Sequence, residues 1–136
     1  MACEFCDQIG GELLWQDDHC RVVLVDDPDY CGFCRVIWKN HIQEMTDLSN
    51  EDRTQFMAVV FKVEESLRKI LRPEKINLAS LGNMTPHLHW HVIPRFADDK
   101  HFPNPIWGAA QLDSSARHAH TGFVEQLKSA LQRKSN

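Results

Sequence analysis

Short apolar runs near the start of the chain predict β-strands. Residues 13–15 form one run and residues 20–26 a second, in which the stretch 21–25 is rich in β-branched and apolar side chains. Residues 26–29 supply Asp and Pro, which end the second strand as a turn. Residues 33–38 then predict the return strand of a hairpin.

Helical spacing replaces the strand pattern in the middle of the chain. Ser49 can cap a helix, and Asp52 three residues later gives an imperfect capping box. Pro73 ends the helix. The apolar residues at helical spacing between them are Phe56, Val59, Val60, Val63, Leu67, Ile70 and Leu71.

The second half of the chain predicts two further strands, over residues 76–80 and 87–94, separated by a loop over 82–86. A loop-like stretch follows through Gly108, and a last helix is predicted from about 121 to 131. Antiparallel strands with one long helix between them predict an α+β domain.

Composition narrows the class of protein. A chain of 136 residues with 43% hydrophobic residues fits one globular domain. We expect no membrane association, because no apolar run approaches the ~20 residues of a span. Five cysteines, an odd number, and no recognisable signal peptide predict a cytoplasmic protein with thiols or metal ligands rather than disulfides. A formal net charge of −4 argues against binding of long nucleic acid, but a small phosphorylated ligand needs only local positive groups.

The most informative segment carries three alternating histidines. His87, His89 and His91 are predicted to share one face of a strand at spacings of about 6.5–7 Å, with apolar residues on the other face. A half-buried strand without a functional role would carry mixed polar residues on its solvent-facing side. The spacing is compatible with a metal site and with nucleophilic catalysis by histidine, and it does not separate the two.

This segment resembles the signature of the histidine-triad (HIT) superfamily, His-φ-His-φ-His-φ-φ with φ apolar, over residues 87–93. Residues 36–41 resemble the family's Val-Ile-Pro-Lys-x-His strand end, with Trp38 where Pro is usual. Residues 45–48 resemble its helix lead-in, and residues 3–6 the Cys-x-Phe-Cys opening of bacterial members. The similarity covers about residues 3–96. One departure is Phe33, because relatives often have Pro-Gly-His just before the second hairpin strand.

The resemblance implies a HIT-like α+β fold, with an antiparallel five-stranded sheet, one long helix and a C-terminal helix. Residues 1–110 would form the HIT domain and residues 111–136 its C-terminal helical tail. It also implies a homodimer with a ten-stranded sheet, in which residues 59–71 and 76–80 lie near the two-fold axis.

The resemblance also implies the chemistry. His89, the middle histidine, would attack the α-phosphorus of a small nucleotide, and His91 would hydrogen-bond a phosphate oxygen or the leaving group. The enzyme would hydrolyse or transfer nucleoside 5′-phosphate derivatives with a phosphoanhydride or phosphoramidate bond, without a catalytic metal. A non-catalytic nucleotide sensor or partner-binding protein on the same fold is the alternative, and the intact His89 favours the enzyme.

Further nucleotide contacts are implied for three residues. Asp26 falls where relatives bind the ribose hydroxyls, with Asp27 as its competitor, and Asn77 and Asn83 are candidates for phosphate or leaving-group contacts. For each of them, a turn or loop role is as common. Arg95 either adds positive potential or is a solvated surface residue.

Cys3-x-x-Cys6 has the spacing of half a zinc site. Zinc-bearing relatives complete the site with the residues that correspond to His41 and His87, which implies a structural zinc. A second pair, Cys31 and Cys34, leaves an all-cysteine knuckle open. The default interpretation of Cys20 and Cys34 is a small buried apolar residue.

Overall fold

The computed structural model describes residues 2–133; residues 1 and 134–136, which belong to the predicted ranges 1–110 and 111–136, lie outside it. Its centre is a five-stranded sheet in which every neighbouring pair is antiparallel, in the order β1-β2-β3-β5-β4. This confirms the predicted α+β class. The strands are β1 (Glu12–Gln16), β2 (Cys20–Leu24), β3 (Cys34–Trp38), β4 (Lys75–Ala79) and β5 (His89–Arg95).

Two helices cover one face of the sheet. They are α2 (Asn50–Leu71) and α3 (Phe123–Gln132), and both were expected from their spacing. Ser49 caps α2, since its side chain accepts a hydrogen bond from the backbone N–H of Asp52 at 3.1 Å. The largest apolar cluster lies between these helices and the sheet; it includes Val22, Val36, Phe56, Val60, Val63, Leu67, Val92 and Leu127.

The other face of the sheet carries the histidines and is covered by three irregular segments. The N-terminal segment contains a short helix, α1 (Glu4–Asp7), which the sequence analysis did not predict, and it inserts Phe5 against Val23 and Ile37. Beyond it, Ile93 packs with Tyr30 and Phe33 from the loop between β2 and β3, and Ile106 from the chain after β5 packs against this cluster.

Arg95 anchors the segment that follows β5. Its side chain is 2% exposed and forms an ion pair with Asp99 at 2.8 Å. It also donates hydrogen bonds to Asn77 Oδ1 and to the backbone oxygen of Asn104, each at 2.7 Å. The interpretation of Arg95 as a solvated residue is therefore wrong. Asp99 and Asn104 lie in the irregular segment after β5, whose position the sequence did not predict, and Asn77 lies on β4.

The predicted strand boundaries agree within one residue, except for two that differ by two residues. β2 ends at Leu24 rather than at residue 26, and β5 begins at His89 rather than at His87. The carbonyl oxygen of His87 accepts a hydrogen bond from the ring of His89, so His87 forms a bend before the strand. No helix within residues 2–133 is long and apolar enough to cross a membrane.

Candidate functional site

His89 opens β5 and lies almost fully buried on the histidine-bearing face, with 5% of its surface exposed. Its Nδ1 lies 2.6 Å from the carbonyl oxygen of His87. A carbonyl oxygen only accepts, so Nδ1 must carry the proton, and the neutral ring keeps its lone pair on Nε2. Burial lowers the pKa of His89, and the hydrogen bond to His87 only partly offsets this effect. The ring is therefore held as a neutral base with a defined tautomer.

His87 has the opposite tautomer. It is fully buried, and its Nε2 donates to the backbone oxygen of Trp38 at 2.6 Å. Because this partner is a backbone group, the Trp at a position where relatives have Pro does not remove it. The unprotonated Nδ1 of His87 then faces the thiols of Cys3 and Cys6, at 3.5 and 3.4 Å. The two histidines therefore present different nitrogen atoms to different neighbours.

The predicted ligands Cys3, Cys6, His41 and His87 meet as one cluster, with one ligand atom from each lying within 4.8 Å of the others. The Cys6 Sγ is also 3.4 Å from His41 Nδ1. A tetrahedral zinc with bonds of about 2.3 Å to sulfur and 2.0–2.1 Å to nitrogen places these atoms about 3.5 Å apart. The carbonyl that holds His87 Nε2–H is also the usual second partner of a metal-binding histidine. The donor set therefore fits a metal ion.

The alternative cysteine pair is not assembled in this way. Cys34 is fully buried, and its thiol donates to the backbone oxygen of Gly32 at 3.3 Å. Cys20 is also buried, and burial raises the pKa of each of these two thiols to about 12. The expectation that Cys20 and Cys34 act as small buried residues is confirmed.

His91 follows His89 on the same face, and the two rings are perpendicular with centroids 4.8 Å apart. The ring centre of Trp107, a residue about half exposed, lies 5.0 Å from that of His91, so the segment over residues 102–108 contributes to the wall of the site. Burial, followed by the proximity of His89 and Arg35, lowers the pKa of His91 to about 3. His91 is therefore neutral near pH 7.

The other predicted nucleotide-binding residues, Asp26, Asn77 and Asn83, make no hydrogen bond to a triad histidine within residues 2–133. Asp26 is exposed and, with Asp27, lines a cavity of about 520 Å³ whose described lining includes none of the three histidines. The Asp27 side chain accepts from the backbone of Asp29, which is a turn role. Asn77 accepts a hydrogen bond from Arg95, and Asn83 lies exposed in the loop before the triad. Their roles in binding stay predictions.

One charged residue beside the triad was missed by the sequence analysis. Arg35 on β3 lies directly opposite His91 on β5. The signal was present in the alternation of residues 34–38, where Arg35 falls on the face opposite to its buried neighbours Cys34 and Val36.

Comparisons with known proteins agree with this arrangement. The family model described as the HIT domain matches residues 7–98. An uncharacterised HIT-like protein of Methanocaldococcus jannaschii is 28% identical over 106 residues, which are 71% of this chain and 81% of that protein. A protein named AP-4-A phosphorylase from Mycobacterium tuberculosis is 27% identical over 63% of this chain and 47% of its own length.

Solved structures show the same fold. A histidine triad protein from Bradyrhizobium japonicum superposes with a TM-score of 0.71 at 28% identity, covering 90% of each chain. A Zn-bound histidine triad family protein from Mycobacterium smegmatis gives a TM-score of 0.67 at 23% identity, covering 96% of this chain and 94% of that one.

Proposed function

This chain belongs to the HIT domain family, and we propose that it is a nucleotidyl hydrolase or transferase that forms a covalent nucleotidyl-histidine at His89. Its substrates would be nucleoside 5′-phosphate derivatives of the dinucleoside polyphosphate or nucleoside phosphoramidate type. The hydrogen bond from His89 Nδ1 to the His87 carbonyl at 2.6 Å carries the proposal. It leaves Nε2 as a free lone pair at a buried position, which a nucleophile requires.

The reaction proceeds in two displacements. His89 Nε2 attacks the α-phosphorus, a P–N bond forms, and the bond to the leaving group breaks with its electron pair on the leaving atom. His91 donates a hydrogen bond to a phosphate oxygen or to that leaving atom, where charge develops. Water, or another acceptor, then breaks the P–N bond, which releases the nucleotide and restores neutral His89.

Support for the substrate class comes from the site and from one relative. The name AP-4-A phosphorylase describes a protein that acts on a dinucleoside polyphosphate, and 63% of this chain aligns with it. We place the ribose near Asp26, and the phosphate or leaving group near Asn77 and Asn83. The partner is thus a small nucleotide rather than a long nucleic acid.

We assign a structural zinc to Cys3, Cys6, His41 and His87, supported by the fit of their spacings and by the Zn-bound relative of the same fold. Such an ion would tie α1 to the loop before β5 and fix the carbonyl of His87, which in turn orients His89. Its chemistry here is structural, because the four protein ligands would leave no open position for substrate.

We also propose a cytoplasmic homodimer. β4 lies at one edge of the sheet, so its outer backbone groups face no other strand within residues 2–133. Phe61 on α2 is 52% exposed. A second copy pairing along β4 and α2 would cover both features and give a ten-stranded sheet.

A panel of dinucleoside polyphosphates and nucleoside phosphoramidates, assayed with wild type and His89→Ala, tests the proposal. His120 offers a matched control, because it is an exposed histidine whose ring bonds Gln126 outside the triad. We expect turnover by wild type and His120→Ala and a loss of several orders of magnitude in His89→Ala. Tight nucleotide binding without turnover of any derivative would instead identify the sensor alternative.

A further inference from the structure

Arg35 is held directly beside the triad. It pairs with His91 across β3 and β5, and paired residues of an antiparallel ladder project on the same side of the sheet. Its guanidinium carbon lies 5.4 Å from the ring centre of Phe5 and 5.8 Å from that of Phe33. The same two rings contact the histidines, since the ring centre of Phe5 lies 4.9 Å from that of His89, and the ring centre of Phe33 lies 5.6 Å from that of His91. The two rings therefore fix the cation at the side of the catalytic histidines.

Most N–H donors of the Arg35 guanidinium have no acceptor in the described chain. Within residues 2–133 its one hydrogen bond runs from Nη1 to the backbone oxygen of Gly10, at 3.1 Å. No carboxylate of the described chain lies within ion-pair distance of it. Nη2 donates to no described residue and, unlike Nε, is not sealed from solvent.

The other arginines on this face of the sheet make more hydrogen bonds to the protein than Arg35 does. Arg21 donates three hydrogen bonds of 2.8–2.9 Å to backbone oxygens of the N-terminal segment. Arg95 is ion-paired with Asp99 and bonded to Asn77. Arg35 therefore differs from both in making one hydrogen bond within the described chain, where Arg21 makes three and Arg95 makes four.

Two buried polar atoms mark the same place. Arg35 Nε and His91 Nδ1 are the buried side-chain nitrogen atoms that lack a hydrogen-bond partner in the described part of the chain. Their residues are direct cross-strand partners. Buried polar groups in native proteins are almost always paired, so exceptions that coincide at one position mark a polar region beside the triad whose hydrogen bonds the described chain does not complete.

The triad itself does not supply the positive charge that a phosphate needs. His91 is neutral near pH 7, because burial and its neighbours lower its pKa to about 3. An arginine stays charged even where burial lowers its pKa, and its planar fork suits phosphate oxygens. Glu4, the acidic group whose field reaches Arg35, is exposed and interacts with Thr85.

We propose that Arg35 is a substrate-binding residue whose Nη2 group binds a nonbridging oxygen of the phosphate that His89 attacks; this inference rests on the proposed function. The ligand class it selects is the anionic nucleoside 5′-phosphate, as opposed to the uncharged nucleoside. The same contact strengthens as charge accumulates on these oxygens during attack.

Calorimetric titration with AMP and with adenosine tests this role. Wild type binds AMP more tightly than adenosine, and Arg35→Leu loses about 10- to 100-fold of that preference, as expected for one charge-assisted hydrogen bond. Arg21→Leu is the matched control, since it removes an arginine of the neighbouring strand that also tethers the N-terminal segment; it keeps the preference even if it lowers stability. Equal preference in wild type and Arg35→Leu, or no preference in wild type, would overturn the proposal.

A second measurement on wild type does not depend on how the variants fold. The ¹⁵N resonance of the Arg35 guanidinium shifts on addition of AMP and stays in place with adenosine; equal responses to both ligands would contradict the contact. The result is separable from the proposed function. A protein that turns over no derivative but loses its AMP preference with Arg35→Leu disproves the hydrolase alone. A protein that is active, with a preference independent of Arg35, disproves only this contact.

Discussion

Two ion pairs of this chain have the same sequence spacing and the same length but opposite environments. Arg95 and Asp99 lie four residues apart at 2.8 Å, with side chains 3% and 2% exposed. Glu65 and Lys69 are also four residues apart at 2.8 Å, with side chains 66% and 74% exposed. The Asp99 carboxylate accepts further hydrogen bonds from three backbone N–H groups, those of residues 96, 101 and 102.

Asp99→Ala should therefore be among the most destabilising substitutions of the segment after β5. Removing one partner leaves the Arg95 charge buried and unpaired, which costs about 3–5 kcal/mol of unfolding free energy. It also removes the acceptor of the backbone N–H groups that bond to Asp99. Glu65→Ala should leave the unfolding free energy unchanged within error, because its pair is solvated and screened. Urea unfolding of both variants, followed by circular dichroism at pH 7, measures the difference. Similar losses in the two variants would refute the reasoning.

The pH dependence has a defined sign. Burial alone would raise the pKa of Asp99, but hydrogen bonds from Arg95 and from backbone N–H groups outweigh it and lower the pKa. A folded-state pKa below the unfolded value near ~3.9 gives a stabilisation that is complete above that pH and is lost as the pH falls through the folded value. The gap between wild type and Asp99→Ala should thus narrow in acid. A gap that is constant from pH 7 down to acid unfolding would contradict this assignment.

Three further outcomes are expected. Cys3→Ser should lose about one bound zinc per chain and thermal stability, by metal analysis and calorimetry, whereas Cys31→Ser should retain both. The reverse result would assign the metal to Cys31 and Cys34 instead. Phe61→Glu should shift the protein from dimer to monomer in light scattering, and a wild-type monomer at micromolar concentration would contradict the dimer. His91→Ala should lower kcat about 10²- to 10³-fold while nucleotide binding persists, and unchanged kcat would remove His91 from the mechanism.

The sheet and the long helices could be predicted because their signals are local. The triad strand and α2 follow from side-chain periodicity, and Ser49 from its capping chemistry. The helix α1 was missed because it has four residues and no side-chain cap, so it leaves no periodic pattern. Its position depends on the hydrogen bond that the Arg21 side chain on β2 donates to the Phe5 carbonyl oxygen.

The candidate site was predictable where a motif fixes several residues together. Cys3 and Cys6 came from their spacing, His41 and His87 came from the family resemblance, and the structure assembles the four. The separate tautomers of His87 and His89 depend on two backbone carbonyls, which no side-chain pattern reveals. The burial of Arg95 depends on loop contacts from Asp99 and Asn104, and these are not encoded by periodicity.

The central claim is that His89 Nε2 forms a bond to phosphorus. The most direct test is to mix wild type with a nucleoside phosphoramidate, quench the reaction during turnover at mild alkaline pH, and map any adduct by mass spectrometry. His91→Ala serves as the matched control, since it should slow the reaction without removing the attacking atom. The account predicts a nucleotidyl group on the peptide that carries His89, present in wild type and in His91→Ala and absent in His89→Ala. An adduct on His91, or full turnover by His89→Ala, would contradict it.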